Sequence, residues 1–154
     1  MGQIDKRLAE LGITLPEAVK PVANYVPWSR TGNLVFISGQ GPIDNGKITL
    51  QGCLGDTISL EDGYKSARLC AINVLAQLKD ACGGDLDRVK RVVKLVGFVN
   101  ATAAFTDHPK VINGASDLMV EVFGDKGRHA RSAVASPSLP FGISTEVEAI
   151  IEVE

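Results

Sequence analysis

Two kinds of charged side chain stand where their neighbours give them chemical reach. Arg131 opens a run of small residues, Ser132, Ala133, Val134 and Ala135. A guanidinium among small side chains has open space beside it, and its planar fork suits a carboxylate held by two parallel hydrogen bonds. The pattern alone favours a plainer assignment, in which Arg131 pairs with Glu146 or Glu148 across a sheet. Those glutamates belong to an alternating segment. Val147, Ala149, Ile151 and Val153 share one face, while Glu146, Glu148 and Glu152 share the other with Ile150. A carboxylate on that second face could serve as a general acid or base. More commonly it is only the polar side of a strand.

Other constellations carry less. Gly41, Gly46 and Lys47 have the spacing of a phosphate-binding loop, but Ile48 stands where that loop needs Ser or Thr, and no helix follows. A hairpin turn is the better assignment. His108 and His129 are far apart, with no cluster of Cys and carboxylates around either, so no metal site is expected. His108 reads as a first-turn helix residue and His129 as a loop residue. No Gly-x-Ser-x-Gly elbow is present, and Ser116 falls in mid-helix, a poor place for an exposed nucleophile. Lys126, Arg128, His129 and Arg131 form a small basic cluster, whose simplest reading apart from Arg131 is a solvated loop. Tyr25 and Trp28 lie in a proline-rich stretch, where they cap a pocket or, by default, cover the core.

The elements that must position these residues follow from periodicity. Residues 3–11 suit a short amphipathic helix closed by Gly12. Pro16, Pro21 and Pro27 then keep the chain extended. Leu34 to Ser38 reads as a strand after a Gly32-Asn33 turn, and Asp44-Asn45-Gly46 reads as a type I′ hairpin turn. Ser59 to Cys82 is the strongest helix. Ser59 and Asp62 have capping-box spacing, and Ala67, Cys70, Ala71, Val74, Leu75, Leu78 and Cys82 recur on one face. Val89 to Val99 is a long strand, with Val89, Val93, Leu95 and Val99 on one face and Val92, Val96 and Phe98 on the other. Asp107 is the expected cap of a second long helix ending at Phe123. Arg131 to Ala135 and Thr145 to Val153 complete the strands. Two helices on one side can cover only one sheet face, so the apolar second face calls for a partner copy.

Composition bounds the rest. The chain has 154 residues, 45% hydrophobic and 22% charged, which is ordinary for a globular domain and excludes a disordered chain. One domain spans residues 1–154, with residues 1–24 as an N-terminal extension bearing the short helix. The net charge of −2 gives no pull toward nucleic acid or an anionic membrane. No apolar run approaches a membrane span of roughly 18 residues, and the first 20 residues lack the apolar core of a secretory signal. Cys53, Cys70 and Cys82 show no Cys-x-x-Cys spacing and read as free thiols of a reducing compartment, so a cytoplasmic location is expected.

Several of these residues fall in one order. They are Tyr25; Gly32-Asn33 before Leu34-Val35-Phe36-Ile37-Ser38-Gly39-Gln40; Asn113; Ala130-Arg131-Ser132-Ala133-Val134; Leu139-Pro140; and Glu146-Val147-Glu148-Ala149. In that order, from about Tyr25 to the C-terminus, the chain resembles the RidA/YjgF family. These are the reactive intermediate deaminases, also called L-PSP endoribonucleases. The resemblance implies an α+β, chorismate-mutase-like fold: a bacillus-type mixed β-sheet with two α-helices packed on one face. It also implies a homotrimer with a cleft at each interface. The implied activity is hydrolysis of reactive 2-enamine and 2-imino acids, such as 2-aminoacrylate and 2-iminobutanoate, to 2-keto acids and ammonia, with no cofactor.

Carried over by residue, the resemblance makes Arg131 the clamp of the substrate carboxylate and Glu146 the group that positions or activates water. The Ala133 backbone would meet the imine nitrogen, Tyr25 and Ser38 would line the cleft, and Asn113 lies at a matching helix position. The partners implied are small 2-imino and 2-keto acids, with neither nucleic acid nor membrane. Residues 1–20, Ala133 in place of a frequent Cys, Gly52 to Gly55, and Ser136-Pro137-Ser138 depart from the archetype and mark a divergent branch. Two other functions fit the resemblance: a non-catalytic trimer that binds small carboxylates as a sensor or holdase, and an endoribonuclease. The net charge, the scarcity of aromatics and the lack of paired histidines weigh against the nuclease.

Overall fold

A twelve-residue β-branched segment forms the strand on which everything else is arranged. It is β5 (Val89–Asn100), and it pairs on both sides. The computed structural model describes all of residues 1–154. Its main sheet also contains β1 (Trp28–Thr31), β2 (Leu34–Gln40), β6 (Ala130–Ser136) and β7 (Thr145–Val153), in the order β1-β2-β7-β5-β6. All pairings are antiparallel except β5 with β6. That parallel pair needs a crossover, and α3 (His108–Phe123) supplies it. The other long helix, α2 (Leu60–Ala81), lies beside α3 on the same face of the sheet. A separate hairpin joins β3 (Ile43–Asp44) to β4 (Lys47–Ile48). Its turn residues Asn45 and Gly46 have φ of 49° and 76°, the positive values a type I′ turn requires.

Helix α2 forms as its sequence dictates. The Ser59 hydroxyl accepts the Asp62 N–H at 3.1 Å, and Ala67, Cys70, Ala71, Val74, Leu75 and Leu78 are fully buried. Beneath α2, the hydroxyls of Ser66, Ser144 and Thr145 form a buried cluster with contacts of 2.7 Å, and the Cys70 thiol joins it. Burial pushes that thiol up to about 12, which makes it unreactive. The two helices cross closely at Gly114, where a Cβ would collide with the Tyr64 carbonyl. Tyr64 reinforces the crossing by donating to Asp117 Oδ2 at 2.7 Å.

The N-terminal helix α1 (Gln3–Glu10) has no cap of its own, because Gly2 precedes it. Asp87 serves instead, accepting the Gln3 and Ile4 N–H groups at 2.8 and 2.9 Å. Lys79 pairs with Asp5 at 3.0 Å, and Arg7 donates to the Glu121 carbonyl at 2.7 Å.

Three local expectations are corrected. The four-residue β1 was unmarked in the sequence; its hairpin with β2 turns on Gly32-Asn33. In β5 the register slips between Val89 and Arg91 and again between Val92 and Lys94. Each extra residue reverses the alternation, so Val92 faces the helices at 1% exposure and Val93 does not share the buried face. The Asp107 side chain does not cap α3; it lies 3.5 Å from Lys110.

The helix-covered face holds the core. The opposite face stays open, presenting Phe36, Val96, Phe98, Val134 and Ile150, with Phe36 41% and Val134 45% exposed. No helix is long and apolar enough to cross a membrane.

Candidate functional site

Parallel pairing places Arg131 opposite Leu95, a helix-facing position at the outer edge of the sheet. Its Nη1 donates to Asn113 Oδ1 at 2.8 Å and to Ser116 Oγ at 3.1 Å, both on α3. The pairing with Glu146 or Glu148 that the pattern favoured does not form. Strand β5 separates β6 from β7, and Arg131 turns toward α3 rather than across the sheet. No carboxylate of the chain neutralises it, and its Nε and Nη2 make no hydrogen bond within the chain. Ala133 follows on the same face, opposite Gly97, and packs against the core. Arg131, Asn113 and Ala133 are thus brought together.

Ser116 and His129 join this group, although sequence reasoning set both aside. Ser116 Oγ lies 2.8 Å from His129 Nε2, and His129 Nδ1 lies 2.6 Å from the Gly127 carbonyl. Burial lowers the imidazole pKa, the Arg131 charge lowers it further, and the Gly127 bond partly opposes them. One signal was available. Asn113 and Ser116 are three apart on a helix, and His129 and Arg131 are two apart at a strand start, so each pair shares a face. What was not readable was that the two faces meet.

The second group forms around Glu146 on the open face of the sheet. Glu146 pairs with Phe98 in register and is half-buried over Gly39, where a Cβ would stand 2.7 Å from its Oε1. Burial raises its pKa, and the neighbouring Glu148 raises it further. Tyr25, Ser38, Gly39, Gln40 and Glu146 line a hollow of about 260 Å³, with Ile43, Ile48, Phe141 and Ile143 as apolar walls. Ser38 uses its hydroxyl to hold the Pro27 carbonyl at 3.0 Å, and Tyr25 stands 60% exposed. Asn73 on α2 pins the loop below by donating to the Gly41 and Ile43 carbonyls at 3.2 and 2.9 Å.

Within one chain the two groups stay apart. Arg131 is on the helix face of β6 and Glu146 on the open face of β7, two strands away, or about 10 Å at ordinary strand spacing. Tyr25, Ser38 and Glu146 fall in one group; Arg131, Asn113 and Ala133 fall in the other. No group of three or more His, Cys, Asp or Glu side chains converges to hold a metal.

Comparison with known proteins places this arrangement. A family model described as "YjgF/chorismate mutase-like, putative endoribonuclease" matches residues 5–152. A curated Trypanosoma cruzi protein, TCP17, is 46% identical over 152 residues, covering 98% of this chain and 94% of that protein. The crystal structure of an Agrobacterium tumefaciens protein of unknown function is 48% identical, with a TM-score of 0.93 over 98% of this chain and 92% of that one. The Escherichia coli YjgF structure is 24% identical, with a TM-score of 0.64 over 90% of this chain and 95% of that one, and so shares the fold. The match across nearly the whole length, with the fall in identity toward the Escherichia coli protein, establishes that the chain belongs to the RidA/YjgF family, in a branch divergent from that member.

Proposed function

We propose that the chain hydrolyses reactive 2-enamine and 2-imino acids to 2-keto acids and ammonia, in a cleft between copies of itself. The observation that carries this reading is Arg131. It is a guanidinium without a carboxylate partner, held by α3 from one side, with its Nε and Nη2 donors unused. Those donors form the fork that fits a carboxylate bidentately. The separation of the two groups supports the interface. Arg131 of one copy can meet the Glu146 hollow of another, as it cannot in its own chain, and the open apolar face gives the copies a surface to share. A closed trimer with three such clefts is the assembly proposed.

The chemistry asks little of the protein. The iminium carbon of the substrate is already electrophilic, so orientation and preorganised hydrogen bonds supply most of the effect. Arg131 fixes the substrate carboxylate, and the Ala133 backbone meets the imine nitrogen. Glu146 as a carboxylate takes a proton from water while the oxygen bonds to C2. The tetrahedral aminol then receives that proton on nitrogen; as its C–N bond breaks, the hydroxyl proton on the C2 oxygen returns to Glu146 and passes to the departing ammonia, leaving the keto carbonyl. Water is consumed, and ammonia and the keto acid leave.

The test generates 2-iminobutanoate in place with a threonine dehydratase and follows 2-ketobutyrate release. Wild type is expected to accelerate release, and Arg131→Ala to lose about 2 kcal/mol or more of substrate binding, the scale of a charge-assisted bond. A folded oligomer that binds 2-ketobutyrate without accelerating release would instead be a carboxylate sensor. RNA cleavage surviving Arg131→Ala would support a nuclease.

A further inference from the structure

We propose that Ser116 and His129 are positioning residues for Arg131, forming a one-way hydrogen-bond relay that decides which edge of its guanidinium faces the ligand. The inference rests on the reading of Arg131 as the carboxylate clamp.

Donor and acceptor accounting sets the direction. Arginine only donates, so Ser116 Oγ accepts from Nη1 at 3.1 Å. The single Ser116 proton is then free for His129 Nε2 at 2.8 Å. That nitrogen must be bare to accept it, which leaves the imidazole proton on Nδ1, donated to the Gly127 carbonyl at 2.6 Å. The bonds run in one sense, from the Arg131 donor through Ser116 and His129 to the Gly127 acceptor, and the lowered His129 pKa supports a neutral ring. The far end is firm, because Gly127 is buried so close to α3 that a Cβ there would collide with the Met119 carbonyl.

The consequence for Arg131 is geometric. One Nη1 proton goes to Asn113 and the other to Ser116, so both are spent inside the chain. The guanidinium is planar and rigid, and two bonds at one nitrogen set its plane and its rotation. The edge left over is Nε with Nη2, whose parallel N–H bonds match a carboxylate. With Asn113 alone the group would pivot about a single bond, and the fork would be populated only part of the time. Ser116 and His129 themselves touch no ligand; they act through Arg131.

A double-mutant cycle reads this directly. Binding of 2-ketobutyrate is measured by calorimetry for wild type, Ser116→Ala, Arg131→Ala and the double variant, with 2-iminobutanoate turnover and melting temperature alongside. Ser116→Ala is expected to weaken keto-acid binding about tenfold at an unchanged melting temperature, and to add nothing in the Arg131→Ala background. Ser116→Thr, which keeps the hydroxyl, should restore most of the affinity. His129→Leu should weaken binding like Ser116→Ala, and the two losses should not add. Full affinity in Ser116→Ala, or a loss that persists without Arg131, overturns the relay while the clamp stands. A wild type that neither binds the keto acid nor turns over the imine overturns the clamp, and the positioning role with it.

Discussion

Glu146 is tuned by what surrounds its carboxyl. It is half-buried over Gly39, and Glu148 stands two residues along on the same face, so both burial and like charge favour the protonated form. The native state therefore holds this proton more tightly than the unfolded chain does. The site favours folding at low pH, and that advantage disappears as pH rises through the raised value. As the base of the proposed reaction, Glu146 should set an acid limb in kcat/KM above the ordinary carboxylate range. Glu148→Gln removes the like charge and should move that limb to lower pH. A pH–rate profile of the two proteins decides this, and an unmoved limb would remove Glu146 from the reaction. At this scale the sequence was half legible. Arg131 stood out by its small neighbours; the strand alternation put Glu146 on one face with Glu148 and Glu152, and only the family resemblance singled it out. Ser116 and His129 did not, because a serine in mid-helix and a histidine in a turn acquire meaning only when α3 and β6 meet.

Helix packing supplies a test whose sign is informative. Gly114 lies in the interior of α3, where alanine is intrinsically better by about 1 kcal/mol. Propensity alone predicts that Gly114→Ala stabilises the protein. The crossing predicts the reverse, since the new Cβ would meet the Tyr64 carbonyl and stand 3.1 Å from Arg68 N, both backbone atoms of α2. Overpacking of this kind costs about 1–3 kcal/mol, so thermal denaturation should show a lowered melting temperature. Among the elements, α2 was readable end to end because cap, face and terminus agree, and the β3–β4 turn because Asn-Gly tolerates positive φ. Strand β1 escaped because it has only four residues and follows a proline. The inner face of β5 was misphased because two bulges reverse its alternation, and no residue type marks them.

For the whole molecule, the open sheet face is the feature that one chain leaves unfinished. Phe36, Val96, Phe98, Val134 and Ile150 leave apolar side chains on that face, interleaved with Lys94, Glu146 and Glu148, and large apolar groups exposed together mark a surface for association. Phe36→Glu places a charge there without touching the core. On the proposed assembly and activity, it should shift the sedimentation profile from oligomer to monomer and abolish turnover together, since the Arg131 and Glu146 groups of neighbouring copies would no longer meet. The borrowed cap of α1 has an effect of another sort. Eight residues are too few to stay helical unaided, so the arm depends on the grip of Asp87 on the Gln3 and Ile4 N–H groups, together with buried Leu8 and the Asp5 and Arg7 contacts. Those two bonds hold the Asp87 carboxyl below its usual value. Their contribution is present at neutral pH and vanishes as pH falls through that lowered value. Acidification should therefore unlatch the first ten residues while the sheet and its two long helices remain closed. Amide exchange, corrected for intrinsic rates, would show α1 losing protection ahead of α2. Helix α1 is thus an arm that strong acid, below the ordinary carboxylate value, can open and a neutral solution can fasten again.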